Sequence, residues 1–225
     1  MLQILTILGA GEAAARKLLR RMLLVSKNQI LRQTLKRAVA EIVRVSLQTR
    51  RLILRDWQDS DIQIFIEMGQ DPEVMEFFPN FWSEEKSRDA VVNIRKHFAE
   101  NGFGLFAAEL KENHEFIGFV GLAHLTFEAH FTPAIEIGWR LVSKHFGKGY
   151  ATEAAREVLR FAFEELRLKE LVAITIPDNK PSRNIMKRIG MKHDEEGDFL
   201  HPKLPQDHKF ARHVLYRIKP KDLAS

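Results

Sequence analysis

One segment, Glu136 to Ala154, constrains the fold of this chain more than any other. Its first residues alternate as in a β-strand, a short loop with two glycines follows, and a long helix with one apolar stripe begins at Gly149. Glycine lets a loop backbone approach a ligand closely, and the first N–H groups of a helix have no partners within it. These donors and the positive end of the helix dipole predict a binding site for a phosphate or diphosphate.

Two other kinds of phosphate-binding loop are excluded by their patterns. A nucleoside triphosphate loop needs G-x-x-x-x-G-K-S/T, which the sequence does not contain. A G-x-G-x-x-A run at residues 9–14 outlines a dinucleotide-binding turn. The stretch after it is basic and helical where a second strand ending in Asp or Glu should lie, so we reject this interpretation.

The chain from Thr49 onward alternates strands and helices without an internal repeat. Asp59, Ser60 and Asp61 are expected to cap the first helix, and Pro72 suits the first turn of a short one. The order of elements predicts a mixed α/β sheet rather than a regular βαβ series. Strands are predicted at 51–55, 104–110, 116–125, 134–141, 171–176, 192–198 and 210–218, and longer helices at about 59–69, 83–101, 149–166 and 179–189.

The composition narrows the class of protein further. A length of 225 residues with 45% apolar and 29% charged residues predicts one domain, or one domain with an appendage. No apolar run approaches the length that a membrane-spanning helix needs. Because cysteine is absent, disulfides, Cys-type zinc sites, iron–sulfur clusters and thiol nucleophiles are excluded, and a cytoplasmic location is expected.

The positive charge of the chain is concentrated in residues 1–48. This extension has nine Lys or Arg and two acidic residues, a net charge of +7, whereas the remaining 177 residues carry −2. Its apolar residues recur at helical spacing, which predicts two basic amphipathic helices. They could form an organelle transit peptide, or bind a membrane surface or nucleic acid. We favour a helical appendage that packs on the domain, or upstream sequence included by a wrong start site. No nucleic-acid binding is expected of the domain at 49–225.

The glycine loop resembles the Q/R-x-x-G-x-G/A pattern of the GNAT acetyltransferase superfamily. Lys144, Gly147 and Gly149 fill it, with Lys in place of the usual Gln or Arg. The stretch NKPSRNIMKRIGM, residues 179–191, resembles the family's helix after the fifth strand. The stretches LILRDWQDSD and DPEVMEFF resemble the opening of the branch that includes the ribosomal-protein alanine N-acetyltransferases. The resemblance covers residues 49 to about 223.

The resemblance implies a fold and a cofactor. The fold is a mostly antiparallel central sheet that splays between its fourth and fifth strands, with helices on both faces. Acetyl-CoA lies in the splay, where its pantetheine arm pairs with the main chain of the fourth strand, here residues 134–142. A backbone N–H near Trp139 or Arg140 polarises the thioester carbonyl. The implied cofactor-binding residues are Trp139, Arg140, Leu141, Val142, Lys144, His145, Phe146, Gly147, Lys148, Gly149, Tyr150, Ala151, Thr152, Asn179 and Ser182.

The same resemblance suggests two catalytic residues for direct transfer of an acetyl group to an amine. Glu136, on the fourth strand, is the candidate base, although it could also be a structural residue that orients the acceptor. In many relatives a Tyr that acts as the general acid lies seven residues after the Asn that matches Asn179, but this chain has Met186 at that position. Ser182 is the remaining hydroxyl in that element and the candidate donor to the CoA sulfur. Its alternative role is to cap the helix after Asn179.

The acceptor is the least defined part of the prediction. Phe78, Phe81, Trp82 and His124 are candidate acceptor contacts. The three aromatic residues cluster with Phe77 and could form a wall of the acceptor site, with a core or lid role as the alternative. No metal site is expected, because the His and Asp spacings near the chain end match no metal pattern.

Several functions and assembly states remain open at this stage. The acceptor is the N-terminal amine of a protein or a small amine. A CoA-binding sensor without catalysis, and a nucleic-acid or membrane adaptor that uses residues 1–48, also remain. A monomer or homodimer is expected.

Overall fold

The structure, a computed structural model, describes residues 46–223 of the chain. The predicted extension at 1–48 lies outside the described residues except for its last three, and so does the G-x-G-x-x-A run at 9–14. Within the described part, every helix is too short or too polar to span a membrane.

Eight strands form one sheet in the order β1-β2-β3-β4-β5-β6-β8-β7. All neighbours are antiparallel except β5 and β6, which confirms the mostly antiparallel mixed sheet. The strands are β1 Leu47–Gln48, β2 Leu52–Arg55, β3 Leu105–Leu110, β4 Phe116–His124, β5 Ile135–Leu141, β6 Leu171–Thr175, β7 Lys192–Leu200 and β8 Arg212–Ile218.

Strand β1 corrects one detail of the sequence analysis. Leu47 and Gln48 were assigned to the extension, but they pair with Leu54 and Ile53 of β2. Leu47 is buried in the main core. Two residues carry too little periodicity for a strand to be predicted from pattern alone. The strands that the sequence analysis numbered four and five are therefore β5 and β6.

The sheet opens between β5 and β6, as the resemblance implies. A single parallel pair, Glu136 with Val172, joins the two strands. Beyond this pair β5 continues to Leu141 without a partner in β6. The backbone groups on that side of β5 are therefore available to an added extended segment.

Helices cover both faces of the sheet, as the resemblance implies. One core lies between the sheet and α4 and α5, and a second lies between the sheet and the first three helices. The helices are α1 Asp61–Gln70, α2 Pro72–Met75, α3 Glu84–Asn101, α4 Tyr150–Arg160 and α5 Lys180–Arg188. A π-helical turn, Phe161–Glu165, extends α4, and 3-10 turns lie at Ser143–His145 and Pro220–Asp222.

The start of α1 differs from its expected cap. Ser60 makes no capping hydrogen bond through its side chain. Asp61 instead accepts the N–H of Gln58 at 2.7 Å and pairs with the Arg55 guanidinium of β2, also at 2.7 Å. Since Asp61 is buried, its carboxylate serves to tie α1 to the sheet, which the sequence pattern alone does not reveal.

Candidate active site

The glycine loop has the backbone that its sequence predicts. Gly147 and Gly149 have φ angles of 74° and 82°, a left-handed conformation that favours glycine. A Cβ at Gly147 would meet no atom within 4 Å, so the space beside it is open. Helix α4 begins at Tyr150 without a side-chain cap, which leaves its first N–H groups free to bind a ligand. The arrangement fits a diphosphate group.

Two basic side chains at the start of this loop, those of Lys144 and His145, contact the carboxylate of Glu115. Lys144 forms an ion pair with Glu115, and Nε2 of His145 lies 3.1 Å from the same carboxylate. The hydrogen bond from Lys144 is the main reason why the pKa of Glu115 falls to about 2. His145 is buried, and its Nδ1 has no hydrogen-bond partner among the described residues. Lys144 therefore anchors the loop, whereas a bound molecule could satisfy His145.

A cavity of about 560 Å³ lies in front of the loop, a size typical of ligand sites. It brings together most of the predicted cofactor residues and one of the predicted acceptor residues. Val142, Lys144 and Lys148 do not line it. The predicted residues that line it are Phe78, Trp139, Arg140, Leu141, His145, Phe146, Gly147, Gly149, Tyr150, Ala151, Thr152, Asn179 and Ser182.

The cavity also has walls that the sequence analysis did not assign to the site. One wall comes from α2 and the residues after it, and the opposite wall comes from α5. The first segment is the stretch DPEVMEFF, which carries part of the family resemblance and two residues of the aromatic cluster, and its other residues could have been assigned from their position beside that cluster. Phe77, a member of the predicted aromatic cluster, also lines the cavity, and the additional lining residues are Glu73, Val74, Glu76, Lys180, Pro181, Asn184, Ile185 and Arg188.

The geometry of α5 separates the two roles considered for Ser182. Asn179 is the N-cap, and its side chain accepts the backbone N–H of Ser182 at 3.1 Å. Capping is therefore the work of Asn179, while the Ser182 hydroxyl lines the cavity and has no hydrogen-bond partner among the described residues. Met186, in the usual Tyr position, is buried in the main core and does not line the cavity.

Glu136 lies beside the splay rather than in the wall of the cavity. Burial raises the pKa of its carboxyl to about 7, and a hydrogen bond from the backbone N–H of Ile174 opposes this shift in part. A carboxyl with a pKa near neutrality can accept a proton at physiological pH. Its role as the base remains a prediction.

The face that carries Glu136 also carries Gly138 and Arg140, since side chains alternate along a strand. A Cβ at Gly138 would meet no atom within 4 Å, so this face of β5 is open at its centre. Arg140 lies under an aromatic cover, with its Cζ 4.1 Å from the ring centre of Phe78 and 4.4 Å from that of Trp82.

Two predicted acceptor residues are placed elsewhere. Phe81 is 55% exposed and does not line the cavity. His124 lies at the end of β4 opposite the start of β5, where its Nδ1 is 3.1 Å from Nε2 of His97. Among the described residues, no group of three or more His, Cys, Asp or Glu side chains is arranged to hold a metal ion.

Comparisons with known proteins agree with this geometry. The sequence profile described as "Acetyltransferase (GNAT) domain" matches residues 51–192. An uncharacterized N-acetyltransferase of Bacillus subtilis, YnaD, is 31% identical over 173 residues, which are 76% of this chain and 95% of YnaD. A putative ribosomal N-acetyltransferase of the same organism, YdaF, is 39% identical over 123 residues, 54% of this chain and 63% of YdaF.

A solved structure gives the same answer for the fold. The GNAT acetyltransferase from Bacillus anthracis superposes with a TM-score of 0.65 and 28% identity, covering 79% of this chain and 99% of its own. The profile match spans both the opened edge of β5 and the glycine loop before α4. The chain therefore belongs to the GNAT family and is an acetyltransferase enzyme.

Proposed function

We propose that this enzyme transfers an acetyl group from acetyl-CoA directly to a primary amine. The observation that carries the proposal is the continuous path from the unpaired edge of β5 to the uncapped start of α4, along one cavity. An extended pantetheine arm can pair with that edge while its diphosphate binds at the helix start. At the same loop, the buried Nδ1 of His145 has no hydrogen-bond partner in the described part of the chain, which is consistent with a polar ligand.

The residues of the chain account for each requirement of the reaction. Acetyl-CoA supplies the acetyl group as a thioester. The amine nitrogen bonds to the acetyl carbon as the carbon–sulfur bond breaks, and Glu136 accepts the proton that the amine loses. The backbone N–H of Trp139 or Arg140 stabilises negative charge on the carbonyl oxygen. The Ser182 hydroxyl donates a hydrogen bond to the departing sulfur. No acyl-enzyme is formed, which agrees with the absence of cysteine.

A panel of amines incubated with acetyl-CoA, with release of free thiol as the readout, tests this proposal. We expect amine-dependent thiol release, and calorimetric binding of CoA to the folded protein. If neither acetyl-CoA nor CoA produced a heat of binding with the folded protein, the proposed site would be refuted. Binding of CoA without turnover of any amine would favour the alternative, a CoA-binding sensor, for which the buried Met186 in the usual Tyr position is the supporting observation. We place the reaction in the cytoplasm as part of the same proposal.

A further inference from the structure

Arg140 has an environment that a structural arginine rarely has. Phe78 and Trp82 cover its guanidinium, and Phe119 lies 5.7 Å away. Among the described residues, the only polar contact of its side chain is a long one, 4.0 Å from Nη1 to the sulfur of Met75. Nε is fully buried, and within residues 46–223 it has no hydrogen-bond partner and no carboxylate pairs with the guanidinium. Burial lowers the pKa of Arg140 to about 10.

This arrangement leaves one part of the guanidinium to be satisfied by a ligand. The aromatic rings interact with its faces and offset part of the cost of burying the charge. They cannot accept the hydrogen bonds of the N–H groups at its edge. The planar edge of an arginine matches a carboxylate, which it binds through two parallel hydrogen bonds. Since Arg140 lines the cavity, a bound molecule can supply that carboxylate.

The position of Arg140 on β5 indicates which molecule this is. Arg140, the open Gly138 and Glu136 share one face. At a rise of about 3.3 Å per residue, the outer two Cα atoms are roughly 13 Å apart with the glycine midway. The face therefore offers a cation at one end, free space at the centre and a proton acceptor at the other. The acidic Glu73 and Glu76, which also line the cavity, are exposed on α2 and just after it, where water screens them.

We propose that Arg140 is a specificity-determining residue that binds a carboxylate of the acceptor, so that the acceptor is a small amine bearing a carboxylate, as amino acids do. The inference rests on the proposed function and selects the small-molecule acceptor over a protein N-terminus, whose first residue has no free α-carboxylate. The guanidinium of Arg140 acts here on the acceptor, whereas its backbone N–H is one of the two candidate donors to the thioester carbonyl.

Matched acceptors test this assignment directly. Each common amino acid is assayed beside its carboxamide and its decarboxylated amine, with wild type, Arg140→Met and Arg140→Lys. For wild type we expect kcat/KM for the carboxylate form to exceed that of the amide by roughly 10- to 100-fold, mainly through KM. Arg140→Met should abolish this preference, because it should lower kcat/KM for the carboxylate form much more than for the carboxamide or the decarboxylated amine. Arg140→Lys should retain part of it, because the charge remains and the planar fork is lost. Arg88→Met on exposed α3 is the control for removing a positive charge.

Binding measurements keep the inference testable if no acceptor turns over. Calorimetry on the CoA-loaded protein with N-acetylglycine and N-acetylphenylalanine, each against its amide, should show binding that needs both the carboxylate and Arg140. Equal binding of acid and amide, or an equal loss of turnover for all acceptors in Arg140→Met, overturns the assignment. So does wild-type activity confined to amines without a carboxylate or to protein N-termini. Failure of CoA itself to bind is a different result and refutes the proposed function.

Discussion

Glu136 is the residue whose protonation should control the reaction. With the pKa raised to about 7, its carboxyl is mostly protonated at pH 6 and mostly ionised at pH 8. We expect kcat/KM of wild type to fall as the pH drops below 7, since only the ionised form can accept a proton. Glu136→Gln should lose this limb of the pH profile and lower the rate about 100-fold or more, most strongly below the acceptor's pKa. Profiles of equal shape for the two proteins would show that Glu136 is not the base.

The raised pKa of Glu136 also predicts that the stability of the fold falls with rising pH, whereas the activity is expected to rise. Its folded pKa lies above the unfolded value of about 4.5, so the folded state binds the proton more tightly between these two values. Stability therefore falls as the pH rises through this window, because an ionised carboxylate must remain buried. The melting temperature of Glu136→Gln minus that of wild type should therefore be larger at pH 8 than at pH 5. A change of roughly 2–4 °C corresponds to about 1 kcal/mol in a domain of this size. An identical difference at both pH values would contradict the burial argument.

Asn179, the N-cap of α5, and Ser182, in its first turn, should respond differently to mutation. Ser182→Ala removes a hydroxyl that makes no hydrogen bond within the described residues, so its melting temperature should stay within about 1 °C of wild type. We expect kcat to fall roughly 10-fold if the hydroxyl contacts the sulfur. Asn179→Ala removes the helix cap and should cost about 1 kcal/mol of stability. Unchanged kcat in Ser182→Ala would leave the sulfur without this donor.

Residue identity predicted some of these positions and not others. The loop glycines were predictable because a strand, two glycines and a helix at that spacing fix the local backbone. The cover over Arg140 was not, since it joins α2 and the residues before α3 to β5 through long-range packing. Phe81 and His124, which are predicted acceptor contacts, do not line the cavity. A sequence pattern cannot say which of several neighbouring aromatic or imidazole side chains points inward.

At the scale of elements, a substitution at the centre of β5 should affect acceptor binding without lowering stability. Glycine inside a strand normally weakens it, because it has more conformational freedom to lose and no side chain to pack. A Cβ at Gly138 would meet nothing within 4 Å, so Gly138→Ala should leave the melting temperature equal or higher. If the acceptor occupies this space, its KM should rise roughly 10-fold or more while CoA affinity stays constant. Gly121 on neighbouring β4 provides a contrast, since a Cβ there would lie 2.1 Å from the carbonyl oxygen of Gly104. Equal acceptor KM in Gly138→Ala would place the acceptor elsewhere.

The element boundaries show where sequence patterns are informative. The long helix was predicted at 149–166 and is observed as α4 plus its π-helical turn, because its apolar stripe is continuous. The splay of β5 from β6 follows from the family resemblance, since no local pattern shows that two strands share a single pair. The pairing of β8 between β6 and β7 is likewise a long-range property.

At the scale of the molecule, the two faces of the sheet have different roles. The face under α4 and α5 contains the larger core and positions the glycine loop. The other face carries Glu136, Gly138 and Arg140, the residues that we assign to the acceptor. Thr49, which directly follows β1, links this edge of the sheet to the helix after the glycine loop, because its hydroxyl donates a hydrogen bond to Glu153 of α4 at 2.6 Å.

That link gives a prediction about where the folded domain begins. Two truncated proteins, lacking residues 1–45 and 1–49, differ only by Ser46 to Thr49. Leu47 is 4% exposed, so losing it alone should cost about 1.5–3 kcal/mol. The carbonyl of Thr49 also accepts a hydrogen bond from Lys111 at 2.6 Å. We therefore expect the shorter protein to melt roughly 6–12 °C lower, which corresponds to about 3 kcal/mol.

The same truncation should affect the binding site. Glu153 lies in the first turn of α4 and accepts hydrogen bonds from Thr49 and from the backbone of Arg51. Removing Thr49 loosens the helix start that we assign to the diphosphate, so CoA should bind the shorter protein more weakly. Leu47→Ala in the full chain is the matched control, because it removes the core contact and keeps the hydrogen bonds; it should lower the melting temperature and preserve CoA affinity. Equal melting temperatures for the two truncated proteins would mean that β1 contributes nothing to the fold.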